Sequence, residues 1–400
     1  MTFPVEARLP VAVGRPSLQW APSIAAAAAI ALGATLLANA VNGRQAALFL
    51  VGTLAGLVLY HAAFGFTSAW RAFIVDRRGE ALRAQMLMLA LTCLVFFPAL
   101  ASGRFAGVAV RGSVSPIGIG VLVGAFMFGI GMQLGGGCAS GTLYTAGGGN
   151  LRMVVTLLAF IAGSVVGAAH MPWWEGLPSL KPFSLVASFG AAGGLAISLG
   201  VFAAVAALTV LVERSRHGSL TPNRMSLMPP HALRGPWPIV AGAVGLAAVN
   251  ILTLAIAGRP WGVTGAFALW GAKGLSAAGV AVESWRYYAP AARRAELHAS
   301  VLNDVTSIMD FGIMIGALFA ATLAGRFAPS LRASGRSLAA ALVGGLLLGY
   351  GARIAYGCNI GAFFSGIASG SLHGWIWFPC AFAGSIVGTR LRPLFGLSVR

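Results

Sequence analysis

Two cysteines, Cys138 and Cys358, stand in the same glycine-rich setting in the two halves of this 400-residue chain. A thiol can donate a weak hydrogen bond or take part in sulfur exchange, so a repeated cysteine is a candidate for chemistry. The register is kept over a longer stretch than chance explains. The matching positions are Gly129, Gly131, Gly137, Cys138 and Gly141 in the first half and Gly349, Gly351, Gly357, Cys358 and Gly361 in the second.

The glycines beside each thiol predict a broken helix. Glycine accepts a positive φ and a close backbone approach, so it can unwind a helix just before the cysteine. Peptide N–H groups at such a break point into the gap and favour an anion. We therefore expect an anion site beside each thiol. The candidate residues are Gly136, Gly137, Cys138, Gly141, Gly357, Cys358, Asn359 and Gly361.

A second pair of motifs adds hydroxyl groups and cations. Thr67 ends Gly-Phe-Thr and Thr264 ends Gly-Val-Thr, and each follows an aromatic residue and a glycine. Arg353 lies five residues before Cys358, and Lys273 follows the second threonine motif. Either cation could hold an anion on a path through the protein. The alternative is that Arg353 extends to a membrane interface and that Lys273 sits at a helix end.

The composition predicts an all-α, polytopic integral membrane protein. Hydrophobic residues make up 58% of the chain, charged residues 9%, and there are 55 glycines. The net charge of +18 resides in arginines of short loops, which indicates membrane topology and not a nucleic-acid partner. No cysteine spacing suggests zinc or a structural disulfide, and no motif calls for a cofactor. Cys93 and Cys380 have no repeat partner, so we expect packing roles for them.

Apolar runs predict roughly nine membrane spans, with shorter half-membrane helices at the glycine motifs. The first membrane half covers residues 1–212, a basic linker containing proline and glycine covers 213–237, and the second half covers 238–400. We expect the halves to be inverted repeats that meet around a central path, because transporters with broken helices commonly have that plan.

The Gly-Gly-Gly-Cys138-Ala-Ser-Gly and Tyr-Gly-Cys358-Asn-Ile-Gly motifs resemble those of the YeeE/YedE family of sulfur-compound transporters, and the likeness extends over both halves. This resemblance implies thiosulfate uptake through the bacterial inner membrane, with cysteines along the central path and half-membrane helices around them. It also implies, for some members, a small sulfur-carrier protein of the TusA type at the cytoplasmic exit. Some members carry a further cysteine near the first motif, where this chain has Thr67 and Thr264. A hydroxyl can bind an oxyanion but cannot exchange sulfur.

Three hypotheses remain open at this stage. The leading one is a transporter for thiosulfate or a related small sulfur anion, with no enzymatic activity. The second is a membrane thiol-disulfide enzyme, in which Cys138 and Cys358 would cycle between dithiol and disulfide, although Cys-x-x-Cys is missing. The third is a passive anion channel, which would not need the cysteines.

Overall fold

The structure is a computed structural model that describes residues 18–220, 232–329 and 333–399. Within these residues, nine helical segments are long and apolar enough to cross a bilayer, which confirms the expected multi-pass α-helical membrane protein. The helices are α1 (Trp20–Ala40), α2 (Gly43–His61), α3 (Phe66–Asp76), α4 (Glu80–Ser102), α5 (Ile119–Gly135), α6 (Ala139–Gly147), α7 (Leu151–Glu175), α8 (Leu185–His217), α9 (Ile239–Ala257), α10 (Thr264–Ala277), α11 (Ala291–His298), α12 (Val305–Leu323), α13 (Gly335–Ile354), α14 (Ser365–Ala368) and α15 (Leu372–Leu391).

The remaining regular structure is short and lies between these helices. Strand β1 (Arg104–Phe105) pairs with β2 (Val108–Ala109), and β3 (Ile117–Gly118) pairs with β4 (Ser179–Leu180), both antiparallel. A π-helical segment, Asn359–Phe364, leads directly into α14. The 3₁₀ turns are Val282–Ser284, Arg286–Tyr288, Val301–Asn303 and Arg392–Phe395.

Polar residues fix where several helices begin. Asn42 accepts a hydrogen bond from the backbone N–H of Gln45 at the start of α2, and Asn150 does the same for Met153 at the start of α7. Asp304 accepts from the N–H of Ser307 at the start of α12. The first N–H groups of a helix have no partner within the helix, so each cap satisfies one of these donors.

Glycines let the central helices α5, α7, α13 and α15 approach backbone to backbone. A Cβ atom at Gly349 would lie 2.1 Å from the carbonyl oxygen of Phe160, and one at Gly129 would lie 2.0 Å from that of Ala381. Gly129 and Gly349 are equivalent positions in the sequence repeat. Close packing of small residues replaces the hydrophobic driving force that helices lack in lipid.

The predicted division of the chain touches residues that the structure does not describe. Of the predicted linker 213–237, residues 221–231 lie outside the described ranges, as do 1–17 of the first half and 330–332 and 400 of the second. Helix α8 continues through the expected boundary to His217. Glu213, near its end, is fully buried and pairs with Arg78 at 3.2 Å and Arg83 at 2.9 Å. The three-part division and the inverted orientation of the halves stay predictions.

We expect Gly349→Ala to destabilise the protein by roughly 1–3 kcal/mol, because the new methyl group overlaps the Phe160 carbonyl oxygen and forces α7 and α13 apart. The measurement is the midpoint of thermal unfolding of the detergent-purified protein. Gly200→Ala is the matched control, since nothing lies within 4 Å of a Cβ atom at Gly200 in α8. Equal midpoints for the two variants would contradict the packing role of Gly349.

Candidate functional site

Each of the two repeated cysteines lies at a break between helical segments. In the first half, α5 ends at Gly136, whose φ is +90°, and Cys138 adopts an extended conformation before α6 begins. In the second half, α13 is followed by Gly357 with a φ of +148°, and Cys358 is extended before the π-helical segment. Gly136 and Gly357 have the positive φ that glycine accepts readily, but Tyr356, at the position equivalent to Gly136, also has a positive φ of +57°. The predicted half-membrane helices stay a prediction.

Both thiols are buried and lie beside the first amide groups of the segments that they begin. Cys138 is 1% exposed and Cys358 0%. Backbone N–H groups of Ser140 and Gly141 lie close to Cys138 Sγ, and those of Ile360 and Gly361 lie close to Cys358 Sγ. Neither sulfur accepts a full capping hydrogen bond. The first amide groups of both segments are thus directed at the thiols, as the N-terminus of a helix directs its N–H groups at an anion.

The two breaks lie next to each other in the fold. Helix α6 contacts the π-helical segment, and Cys138 and Cys358 are close enough to interact electrostatically. A Cβ atom at Gly137 would lie 3.0 Å from the backbone of Gly141, and one at Gly357 would lie 2.7 Å from the N–H nitrogen of Ala362. At Gly361 nothing lies within 4 Å of a Cβ position, so the space beside this glycine, three residues after Cys358, is open. The structure thus brings both glycine motifs together.

Several buried polar groups near the breaks have no hydrogen-bond partner among the described residues. Both polar atoms of the Asn359 amide are unpaired, although the residue is fully buried. The hydroxyl of Thr67 is also unpaired, while its carbonyl accepts from Gln133 Nε2 at 3.2 Å. Buried polar groups are nearly always bonded in proteins, so these atoms indicate a polar ligand or water.

Sequence reasoning missed Asp310 in the middle of α12. Its side chain is fully buried, both carboxyl oxygens lack a partner among the described residues, and it interacts electrostatically with Cys358. A signal was present in the sequence, since a carboxylate inside an otherwise apolar stretch of Val305–Leu323 is costly and indicates function.

Arginines satisfy the carbonyl groups that the first break leaves free, and the sequence did not reveal this either. Arg152 donates to the carbonyl oxygens of Leu134 and Gly135, both at 2.7 Å. Arg392 donates to that of Gln133 at 2.6 Å. At the second break, His373 Nε2 lies 2.9 Å from the carbonyl oxygen of Ala355. The C-terminal helix ends are therefore closed by protein, unlike the N-terminal ends beside the thiols.

An arginine-lined cavity of about 320 Å³ reaches the second break. We call it the arginine cavity, and its lining includes Arg111, Arg259, Arg353, Thr264, Thr306, Gly357 and Gly361. Arg353 donates to the hydroxyl of Tyr287 and to the carbonyl oxygen of Thr264. Its Nε is buried and has no partner among the described residues. Of the two predicted cations, Arg353 thus lies at the site.

Lys273 lies elsewhere. Its ammonium group donates to the carbonyl oxygens of Leu297 and Ala299, each at 2.6 Å, at the end of α11. The lysine is not among the residues that line the arginine cavity. This contact gives Lys273 a structural partner at a helix end, and its role on an anion path stays a prediction.

A second cavity, of about 610 Å³, lies at the other end of α13, and we call it the Arg152 cavity. Ser337 lines it and Arg353 lines the arginine cavity; these residues lie roughly 24 Å apart along the helix axis. Gly148, Gly149 and Asn150, directly after α6, also line the Arg152 cavity. The two helix breaks, which carry Cys138 and Cys358, therefore lie between the arginine cavity at one end of the bundle and the Arg152 cavity at the other.

The other two cysteines differ from the repeated pair. Cys93 is buried in the core, with its sulfur 4.0 Å from the carbonyl oxygen of Ile367. Cys380 is partly exposed. All four thiols are free, and no group of three or more metal-binding side chains occurs in the part of the chain that the structure describes.

Comparison with known proteins places these features in a family. A family model described as "Sulphur transport" matches residues 61–387, which confirms the resemblance inferred from the motifs. The probable transporter YedE of Escherichia coli K12 is 32% identical over 166 residues, and the match covers 41% of this chain and only 40% of that protein.

Longer matches come from two proteins named thiosulfate transporter TsuA. The protein from Spirochaeta thermophila is 27% identical over 338 residues, covering 82% of this chain and 92% of its own length. That from Escherichia coli K12 is 26% identical over 345 residues, covering 81% and 88%.

We expect Arg152→Gln to lower the midpoint of thermal unfolding, because the shorter amide cannot replace both short hydrogen bonds to Leu134 and Gly135, of which only Gly135 has a second donor, Thr156 Oγ1 at 3.3 Å. That loss is worth about 1–3 kcal/mol. The matched control is Arg214→Gln, an exposed arginine in α8. An unchanged midpoint for Arg152→Gln would contradict the role of Arg152 in closing α5.

Proposed function

The chain belongs to the sulphur transport family, and on that premise we propose that it carries thiosulfate, or a related small inorganic sulfur anion, into the cytoplasm across the bacterial inner membrane. The observation that carries this proposal is the arginine cavity, whose lining reaches Gly357 and Gly361 on either side of the buried Cys358. The names of the YedE and TsuA relatives support a transport role over an enzymatic one.

The arginine cavity is suited to collect an anion. Arg111, Arg259 and Arg353 place three positive charges around one space, and Arg259 also donates to the hydroxyl of Thr306 at 3.1 Å. A cleft lined by one sign of charge raises the local concentration of the opposite ion. Guanidinium groups also match the geometry of oxyanions. We assign this cavity to the entrance.

The Arg152 cavity is assigned to the exit. Arg71 and Arg152 both lie within electrostatic range of Arg392, which gathers positive charge at this end of the bundle. Cytoplasmic loops of membrane proteins carry an excess of arginine and lysine, so this end faces the cytoplasm under the proposal. A small sulfur-carrier protein of the TusA type would receive the anion here.

Between the two cavities the anion would pass the thiols. The oxyanion end of thiosulfate is bound by the amide groups of residues 140–141 and 360–361 and by the amide of Asn359. Its terminal sulfur is large and polarizable, and it is matched by the weak S–H donors of Cys138 and Cys358. Weak contacts at several sites allow release, which conduction requires. A passive anion channel would need no thiol at these positions.

We expect Cys138→Ser and Cys358→Ser each to reduce thiosulfate uptake by at least tenfold, because a hydroxyl is smaller and prefers oxygen or water to sulfur. The measurement is uptake of ³⁵S-thiosulfate, and growth on thiosulfate as the sole sulfur source, in a bacterium that lacks other thiosulfate uptake. Cys380→Ser is the matched control, since this thiol has no repeat partner and is partly exposed.

Membrane abundance must be equal in all three variants. Wild-type uptake by both Cys138→Ser and Cys358→Ser would reduce these residues to packing roles and favour a passive channel. The thiol-disulfide enzyme would be favoured instead if the protein oxidised thiols in the absence of thiosulfate and if Cys138→Ser and Cys358→Ser each abolished that activity.

We further expect Arg353→Gln to raise the KM for thiosulfate several-fold with a smaller effect on the maximal rate. The substitution removes one of the three positive charges at the entrance. The attraction between the arginine cavity and thiosulfate is then weaker and depends less on the salt concentration. Uptake kinetics at low and high ionic strength measure both effects. Arg104→Gln is the control, because Arg104 lies outside the arginine cavity. An unchanged KM would contradict the entrance assignment.

A further inference from the structure

One face of α12 extends from the arginine cavity to α6, the helix whose C-terminal end borders the Arg152 cavity. Thr306 lines the arginine cavity, and Asp310 lies one turn deeper, roughly 6 Å along the helix axis. Met314 lies one turn beyond that and contacts α6, since a Cβ atom at Gly147 would lie 2.3 Å from its carbonyl oxygen. The residue after Gly147 lines the Arg152 cavity. Asp310 therefore lies midway on the shortest helical route between the two cavities.

The carboxyl group of Asp310 is placed where a charge is expensive. It is fully buried, and neither oxygen has a hydrogen-bond or ion-pair partner among the described residues. An unpaired carboxylate in a membrane interior costs several kcal/mol, and protonation removes that cost. The protonated form presents one O–H donor and remains an acceptor.

The groups around Asp310 do not offer it a permanent counter-ion. Helices α1, α2, α6 and α10 and the 3₁₀ turn Val301–Asn303 pack against α12, and the π-helical segment brings the Cys358 thiol within electrostatic range. Asp304, on the same helix, also interacts with Asp310 and has the same charge. The titratable residues that the packed elements carry are Arg44, Tyr60 and His61 on α2, Tyr144 on α6 and Lys273 on α10.

None of these residues pairs with Asp310. Lys273 bonds to the carbonyl oxygens at the end of α11, and Arg44 donates to the carbonyl oxygen of Ala257. No described side chain neutralises Asp310, and binding of a proton would remove its charge.

We propose that Asp310 is a proton-binding site and that the anion crosses the membrane together with a proton. This inference rests on the proposed transport of a sulfur anion. A proton from the side of the arginine cavity binds the carboxylate of Asp310 and forms the neutral acid. The O–H group donates a hydrogen bond to an oxygen of the arriving anion.

The proton is released to the side of the Arg152 cavity as the anion leaves, and the carboxylate is regenerated. That carboxylate repels the next anion until a new proton binds, which couples the two movements. One proton and one divalent anion then move in each cycle.

The test uses the full-length protein in proteoliposomes that contain a pH-sensitive dye, with ³⁵S-thiosulfate added outside. For the wild type we expect acidification of the lumen in step with thiosulfate uptake, and several-fold faster uptake when the lumen is more alkaline than the medium. Thiosulfate uptake without acidification would overturn the role of Asp310 and leave the proposed function standing. The absence of any thiosulfate uptake would overturn the proposed function itself.

Asp310→Asn is the decisive variant. The asparagine amide has nearly the size of the aspartic acid and also donates a hydrogen bond, but it does not bind or release a proton near neutral pH. We expect this variant to lose lumen acidification and the response of thiosulfate uptake to the pH gradient. Glu80→Gln is the control, because this carboxylate at the start of α4 lines neither cavity, and the variant should keep both responses. Acidification by Asp310→Asn at the wild-type ratio to thiosulfate would overturn the inference.

Discussion

The constraint on which the rest of the structure depends is that a helix cannot be broken inside a bilayer unless its backbone polar groups find partners. At Cys138 the chain meets this demand on one side only. Arg152 and Arg392 bind the carbonyl groups that end α5, whereas the amide groups that begin α6 have no full cap. At this break the carbonyl groups have strong charged donors, whereas the amide groups face only the weakly accepting sulfur of a thiol, for which an anion is a stronger substitute.

The same constraint explains why the buried polar residues around the breaks lower the stability of the fold. The Asn359 amide and the Asp310 carboxyl are fully buried without partners, which in a protein core costs more than an apolar residue would. The free-energy cost of burying these two groups is offset only when a polar ligand or water binds to them. Under the proposed function, the unpaired atoms and the two cavities mark one route.

Rigid packing around this route depends on glycine. Equivalent contacts at Gly129 and Gly349 bring α5 against α15 and α13 against α7 with no side chain between them. Because these helices touch through their backbones, the breaks at their ends are held in fixed positions. The thiols are consequently placed by the four central helices and not by flexible loops.

The sequence by itself determined the membrane class, the family and the identity of both thiol motifs, because hydropathy and glycine spacing are local properties of the chain. It also marked Arg353, Asn359, Thr67 and Thr264 as candidates, and the structure finds the first three of these with an unpaired buried polar atom.

Only the tertiary structure decided which polar residues share a space. Lys273 and Arg353 are alike in sequence context, yet one closes α11 and the other lines the arginine cavity. Arg152 and Arg392 came to the end of α5 from distant segments, and Asp310 reached Cys358 from another helix. No local pattern encodes such meetings, because they depend on how helices far apart in the chain pack against each other.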